Sequence, residues 1–184
     1  MLVAALLMAW TLSVPAGEPP QQPARASEYQ VKAAYLFNFG KFVAWPAGST
    51  AAQGDAFPIC VIGQDPFGQI LDMTLSGEVI GGKSVVPRRI SRVQDVSSCR
   101  ILFISSSEEG RLREILGAVE KAGVLTVSDI SGFSQRGGMI QFIIQANKVR
   151  FEVDLRPALE AGLTLSSELL RVAASVRRNP QPGD

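Results

Sequence analysis

Residues 77–84 read GEVIGGKS and fit G-x-x-x-x-G-K-[ST], the loop that wraps nucleotide phosphates. That chemistry depends on its setting. A strand must run into the loop and a helix must leave it, so that backbone N–H groups and a helix N-terminus converge on the phosphates. Here the order is reversed. A helix with Ile70, Leu71 and Leu75 inward is predicted before the loop, and Val85-Val86-Pro87-Arg88-Arg89-Ile90 follows as an alternating, proline-bearing, edge-like strand. The stretch is therefore expected to form two turns around a short extended piece with Lys83 solvated. Nucleotide hydrolysis is set aside.

Other reactive residue types are scarce. The 184 residues contain no histidine, which removes Ser-His and Cys-His nucleophilic pairs, histidine-ligated metals and the usual side-chain pH switch. Two cysteines cannot build a structural zinc site by themselves. Asp65 and Asp129 are the carboxylates expected near a common crevice, and paired acids can hydrolyse a glycosidic bond. No second catalytic group is positioned beside them, and acidic helix caps explain both equally well. The expectation is a non-catalytic protein without metal or cofactor. A net charge of +1 supplies no field that would draw nucleic acid.

The N-terminus differs from the rest. Leu2 to Leu12 is an uncharged apolar run, too short to span a bilayer comfortably. Small residues follow at Val14-Pro15-Ala16 and Ala24-Arg25-Ala26. This reads as a secretory signal peptide cut after Ala16 or Ala26, although no Lys or Arg precedes the apolar run. A retained anchor or a buried N-terminal helix is the other reading. Residues 1–26 are taken as signal peptide and disordered leader, with Gly17 to Ala26 rich in Pro and Gln. Export would favour a disulfide between Cys60 and Cys99. Each lies toward the beginning of a predicted buried strand, and neighbouring parallel strands would bring them close. The alternative is two buried free thiols.

With 46% apolar and 19% charged residues, the composition suits one globular domain over residues 27–178, with a disordered tail at 179–184. Glu28 to Val43 is predicted as a helix with an apolar stripe, ended by Trp45-Pro46. Strands are expected at 57–62, 100–104, 124–127, 139–144 and 149–155, the last two joined as a hairpin through Gln145-Ala146-Asn147-Lys148. Helices are expected with Asp65 just before the start and Pro66 in the first turn, after Ser105-Ser106-Ser107, and from Ser166 onward, the last with Leu169, Leu170, Ala173 and Val176 on one face. Alternating strands and helices imply an α/β fold: a single domain whose mixed parallel and antiparallel sheet carries helices on both faces.

In such sheets, ligands bind outside the carboxyl ends of the strands. The residues predicted there are Gln64, Asp65, Ser105, Ser106, Ser107, Ser128 and Asp129, a candidate crevice for a small anionic or zwitterionic effector. Helix capping explains the same residues without a ligand. Tyr35, Phe39, Phe42 and Trp45 on and after the first helix suit packing on the sheet, and any of them left exposed would suit a dimer or docking surface. Lys83, Arg88, Arg89 and Arg92 form a local basic cluster. Arg150, Glu152 and Asp154 alternate with apolar residues and are expected to pair with one another on one sheet face.

Several segments together carry a resemblance: YQVKAAYLFNF at 29–39 with Lys41-Phe42 and Trp45-Pro46, ICVIG at 59–63, and DPFG at 65–68. CRILFISSSE at 99–108, LTVSD at 125–129, GGMI at 137–140, VRFEV at 149–153 and LSSELL at 165–170 complete the set. In order, and over nearly the whole chain after Ser27, they resemble the YfiR-like family of periplasmic proteins. The resemblance implies an exported α/β domain, often a homodimer, that represses a membrane-bound diguanylate cyclase. It does so by docking on the periplasmic sensor domain of that cyclase, and release raises cyclic di-GMP and promotes biofilm formation. Docking to an acidic sensor domain would give the basic cluster a role. Some members carry a second cysteine pair, which this chain lacks, leaving Cys60–Cys99 as its sole bridge candidate. The rival expectation is a periplasmic small-molecule-binding component serving a sensor kinase or a transport system.

Overall fold

A computed structural model describes residues 23–46 and 54–178. The expected signal run, the leader as far as residue 22, and the tail at 179–184 lie outside the described residues. In chain order the elements begin with helix α1 (Pro23–Phe42), strands β1 (Val43–Ala44) and β2 (Ala56–Ile62), helix α2 (Gln69–Leu75), and strands β3 (Val79–Ile80) and β4 (Lys83–Ile90). They continue with β5 (Ile101–Ile104), α3 (Leu112–Val119), β6 (Leu125–Ser128), β7 (Ile140–Gln145) and β8 (Lys148–Asp154). The chain closes with α4 (Leu155–Glu160), β9 (Thr164–Leu165), α5 (Ser167–Val172) and β10 (Ser175–Arg177).

Eight strands form one sheet in the order β10-β8-β7-β6-β5-β2-β4-β3. The run β4, β2, β5, β6, β7 is parallel, while β8 is antiparallel to β7 and β3 to β4. Side chains of the central strands alternate between two layers, as a pleat requires. Phe57, Ile59, Val61, Ile101, Phe103, Leu125 and Val127 face a core closed by Leu36 and Phe39 of α1, Leu71 of α2, Ala158 of α4 and Leu169 of α5. Cys60, Ile62, Leu102 and Ile104 face a second core closed by Leu112, Ile115 and Val119 of α3. The fold is the expected mixed sheet with helices on both faces.

The local chemistry explains where individual elements stop and start. Gly81 and Gly82 have φ of 58° and 78°, so GEVIGGKS is the two-residue hairpin between β3 and β4, a turn that needs left-handed backbone. Lys83 is not simply solvated; its Nζ donates to the Gly54 carbonyl. Ala146 and Asn147, at φ 49° and 58°, make the equivalent turn between β7 and β8.

Four local expectations are corrected. Helix α1 begins at Pro23, five positions before Glu28, and Val43 leaves it to pair with Leu165 in a small two-stranded sheet of β1 and β9. Pro66 lies before α2, not within its first turn, because the Asp65 carboxylate accepts the Phe67 N–H at 2.8 Å and turns the chain there. Helix α5 stops at Val172. Ala173 is extended, and Val176 sits in β10, where the chain covers the otherwise unpaired outer edge of β8. The Ala174 N–H donates to the Phe151 carbonyl at 2.8 Å, a bond that continuing the helix would forfeit. Finally, Arg150, Glu152 and Asp154 do not pair among themselves. Asp154, 1% exposed, caps α4 through the Arg156 N–H and lies 3.7 Å from Arg177 Nη1, while Arg150 donates to the Val172 carbonyl.

Candidate functional site

Strands β2, β5 and β6 end in register, with Ile62 beside Ile104 and Ile104 beside Ser128. The loops that leave them therefore emerge side by side. Gly63 has φ 90°, and a Cβ there would fall 2.5 Å from Ser107 Oγ, so glycine lets the first loop lie against the second. The Gln64 N–H then donates to Ser107 Oγ at 2.8 Å. Ser105 Oγ accepts from the Ser107 N–H and receives a 3.3 Å contact from the Ser107 hydroxyl. Ser128 Oγ donates to the Ile104 carbonyl at 2.7 Å and accepts from the Ile130 N–H. These hydroxyls hold backbone at the strand ends, the capping role that competes with ligand binding in any such loop.

Of the seven residues expected in the crevice, Ser106 and Asp129 line an open cavity of about 450 Å³ at this edge. Asp65 is engaged elsewhere, by the Phe67 N–H and by Arg89 Nε at 2.9 Å. The cavity is completed by Glu28 and Lys32 from α1, by Ser131, and by Gln141 and Phe142 from β7. Lys32 carries a readable signal in the sequence, a single charge inside the apolar stretch of a helix, four residues after a glutamate.

Lys32 organises the site. It is 2% exposed, with Nζ 2.6 Å from Glu28 Oε1 and 2.7 Å from Asp129 Oδ2, and it lies 4.5 Å from the centre of the Tyr29 ring. Burial opposes its charge, but hydrogen bonds to Asp129 and Glu28 outweigh that and hold its pKa above the ordinary lysine value. The Tyr29 hydroxyl donates to the same Asp129 oxygen at 3.2 Å; burial first, then the negative charge of Asp129, push its pKa up. Two carboxylates surround one ammonium, so the lining is negative by one charge. That sign favours the ammonium end of a zwitterion over a simple anion. Asp65 is held by Arg89 and Asp129 by Lys32, and Asp65 does not line the cavity that holds Asp129, as paired catalytic acids would require.

The residues expected at a docking or dimer surface divide sharply. Phe39 is 0% exposed and packs with Tyr35, Phe142 and Phe151 at ring-centre distances of 5.1–5.9 Å. Trp45 meets Phe57 edge-on at 5.2 Å, under the guanidinium of Arg100. Phe39 is thus a core residue, Tyr35 and Trp45 are half-buried against the core, and Phe42, 40% exposed, remains outside. Arg88 is exposed, whereas Arg89 is occupied by Asp65, Asp72 and the Gly68 carbonyl, and Arg92 by Asp95. Cys60 and Cys99, both 0% exposed, are joined by a disulfide with Cα atoms 5.9 Å apart.

Fold and site thus define an α/β domain with a disulfide in its second core and a charged crevice at the carboxyl edge of the sheet. The chain belongs to the YfiR/HmsC-like family (DUF4154), whose model matches residues 29–174. No curated protein shows a match. Among solved structures, an ABC domain from Streptococcus pneumonia in complex with L-Trp aligns with a TM-score of 0.51 at 9% identity, over 78% of this chain and 60% of that one. A conserved domain protein from Vibrio cholerae O1 biovar eltor aligns with a TM-score of 0.49 at 11% identity, over 65% of this chain and 54% of that one. The chain spans less than two thirds of either structure, and the first likeness is one of fold alone.

Proposed function

We propose that the protein is an exported, non-catalytic regulator that represses an inner-membrane diguanylate cyclase by docking on its periplasmic sensor domain. The observation that carries this reading is membership of the YfiR/HmsC-like family across residues 29–174. The Cys60–Cys99 bridge supports export, because such cross-links persist in oxidising compartments. Among the described residues no helix is long and apolar enough to cross a membrane. This reading takes the apolar run at 2–12 as the export signal. The logic of control is linkage: whatever binds the free form better than the docked form releases the partner. A homodimer in the free state completes the proposal, with Phe42 on α1 and Arg88 on the opposite face of β4 as separate contact candidates.

The test is affinity capture from detergent-solubilised membranes with the full chain expressed through its own export signal. Recovery of a membrane protein with a cytoplasmic cyclase domain, together with a rise in cyclic di-GMP when the gene is deleted, is expected. An unprocessed, thiol-reduced product in the cytosolic fraction would sink the reading. A second reading, a solute-binding component for a sensor kinase or transport system, is favoured by one observation: the 450 Å³ cavity around Lys32. Equilibrium dialysis against amino acids separates the two, since only the second requires tight binding in the absence of a partner.

A further inference from the structure

At the opposite edge of the sheet, where the parallel strands begin, the two helical layers part and leave a groove of about 450 Å³. One wall is α3 with the turn that follows it, and the other is α4. The floor is apolar: Leu116 and Val119 from α3, Met139 at the entry to β7, and Ala161. Thr126 also lies there, 1% exposed, with its Oγ1 accepting the Met139 N–H at 3.1 Å. An open apolar floor of this size is in the range of small-molecule sites, which span roughly 300–1,000 Å³.

The rim is basic. Arg113, Lys121, Arg136 and Arg156 face only two carboxylates, Glu120 and Glu160. On a chain of net charge +1, this is a local concentration of positive charge. Two of the four have other employment: Arg136 donates to Glu109 at 2.8 Å, and Arg156 Nη2 lies 3.6 Å from Asp154. Arg113 and Lys121 make no hydrogen bond or ion pair with any described residue. Arginine presents a planar fork of donors that matches a carboxylate or sulfonate, and it does so best beside apolar surface that excludes water. The crevice around Lys32 has the opposite sign, so the two edges of the sheet select oppositely charged groups.

We propose that this groove binds a small amphipathic organic anion, with the acid group at Arg113 and Arg156 and the apolar body over Leu116 and Met139. The floor distinguishes this ligand from inorganic phosphate, which has no apolar body to cover it. The inference concerns a site apart from the crevice and does not depend on cyclase repression.

Two probes with the same ring system separate charge recognition from general stickiness: 1-anilinonaphthalene-8-sulfonate and the uncharged N-phenyl-1-naphthylamine. Fluorescence titration of the full chain is expected to show saturable, single-site sulfonate binding. That binding should weaken at least tenfold in Arg113→Glu and severalfold in Arg156→Gln, and weaken with added salt. Lys148→Glu, in the exposed β7–β8 hairpin and outside the groove, should bind as wild type does. The uncharged probe should bind more weakly and ignore the Arg113 change. Circular dichroism and melting curves check that each variant is folded; Arg113 is exposed on a helix surface, and Arg113→Gln serves if the charge reversal does not fold. No saturable sulfonate binding, or equal sulfonate affinity in wild type and folded Arg113 variants, would overturn the proposal. So would equal affinity for both probes.

Discussion

Lys32 and Asp129 stand 97 residues apart in sequence, yet Lys32 Nζ lies 2.7 Å from Asp129 Oδ2. The pair ties α1 to the loop leaving β6, and Glu28 on the same helix face closes it from the other side. Removing the amine leaves two carboxylates facing each other across a partly buried cavity. We predict that Lys32→Met destabilises the fold by about 3 kcal/mol, the cost typical of stripping one partner from a buried ion pair. Asp129→Asn in the Lys32→Met background should restore part of that loss, since contacting residues do not add independently. Urea midpoints of the two single variants and the double variant provide the cycle.

The same cluster gives an alkaline signature. Lys32 and Tyr29 both have folded pKa values above their ordinary ones. Each group therefore holds its proton more tightly in the folded than in the unfolded chain. That stabilisation is whole below the unfolded values, about pH 10 for both, and is lost as pH rises through the raised folded values. The wild type should lose urea stability above pH ~10, and the Tyr29→Phe, Lys32→Met double variant should lose less over the same window. An identical alkaline profile in both proteins would refute the assignment.

Much of this arrangement was legible in the chain, for reasons that particular residues make clear. The runs 57–62 and 101–104 are apolar on both faces because both faces are covered, and this marks a buried parallel strand whatever follows it. The strand-end loops were legible from the same pattern, and Gln64, Ser105 and Ser107 do meet there. Strand β10 was not, because Ser175-Val176-Arg177 is too short to show a period and its cause is the open edge of β8. The cluster around Lys32 escaped for a similar reason: a lysine in a helix ordinarily reads as solvated, and its partner lies on another element. The basic groove draws on residues from 113 to 161, and only the fold assembles them.

Cys60 lies in β2 and Cys99 just before β5, on neighbouring parallel strands, and the bridge closes a loop with a sequence separation of 39. Chain-entropy reasoning assigns a loop of that length about 4 kcal/mol, through restriction of the unfolded state. Both sulfurs lie in a core, so reductant should act slowly on the native protein and quickly once it is unfolded. Cys60→Ser with Cys99→Ser should lower Tm by roughly 8–16 °C, since each kcal/mol is worth roughly 2–4 °C at this size. Thiol titration of the purified wild type should find no reactive thiol even in denaturant; two would disprove the bridge.

Arg88 and Arg89 are adjacent in β4 and do different work. Arg89 Nε donates to Asp65 Oδ2 at 2.9 Å, and its two terminal nitrogens each reach Asp72 at 2.6 Å, with a further bond to the Gly68 carbonyl. It therefore clamps the loop at 63–68 and α2 onto the sheet, while Arg88 stays exposed. The hydrogen bond to Arg89 is also the main reason that the Asp72 carboxyl titrates below its ordinary value. A depressed folded pKa stabilises above the unfolded carboxylate value, about 3.9, and that contribution disappears as pH falls through the lower folded value. Because the Asp72 side chain is about half exposed, solvent screens the pair and Arg89→Ala should cost only about 1 kcal/mol at neutral pH. The cost should shrink below pH ~4 as the unfolded carboxyl becomes protonated. Arg88→Ala should leave the urea midpoint unchanged and act only on capture of a membrane partner. If Arg88→Ala lowers stability as much as Arg89→Ala, or if the two weaken partner capture equally per unit of stability lost, then β4 is a structural edge and not a docking face.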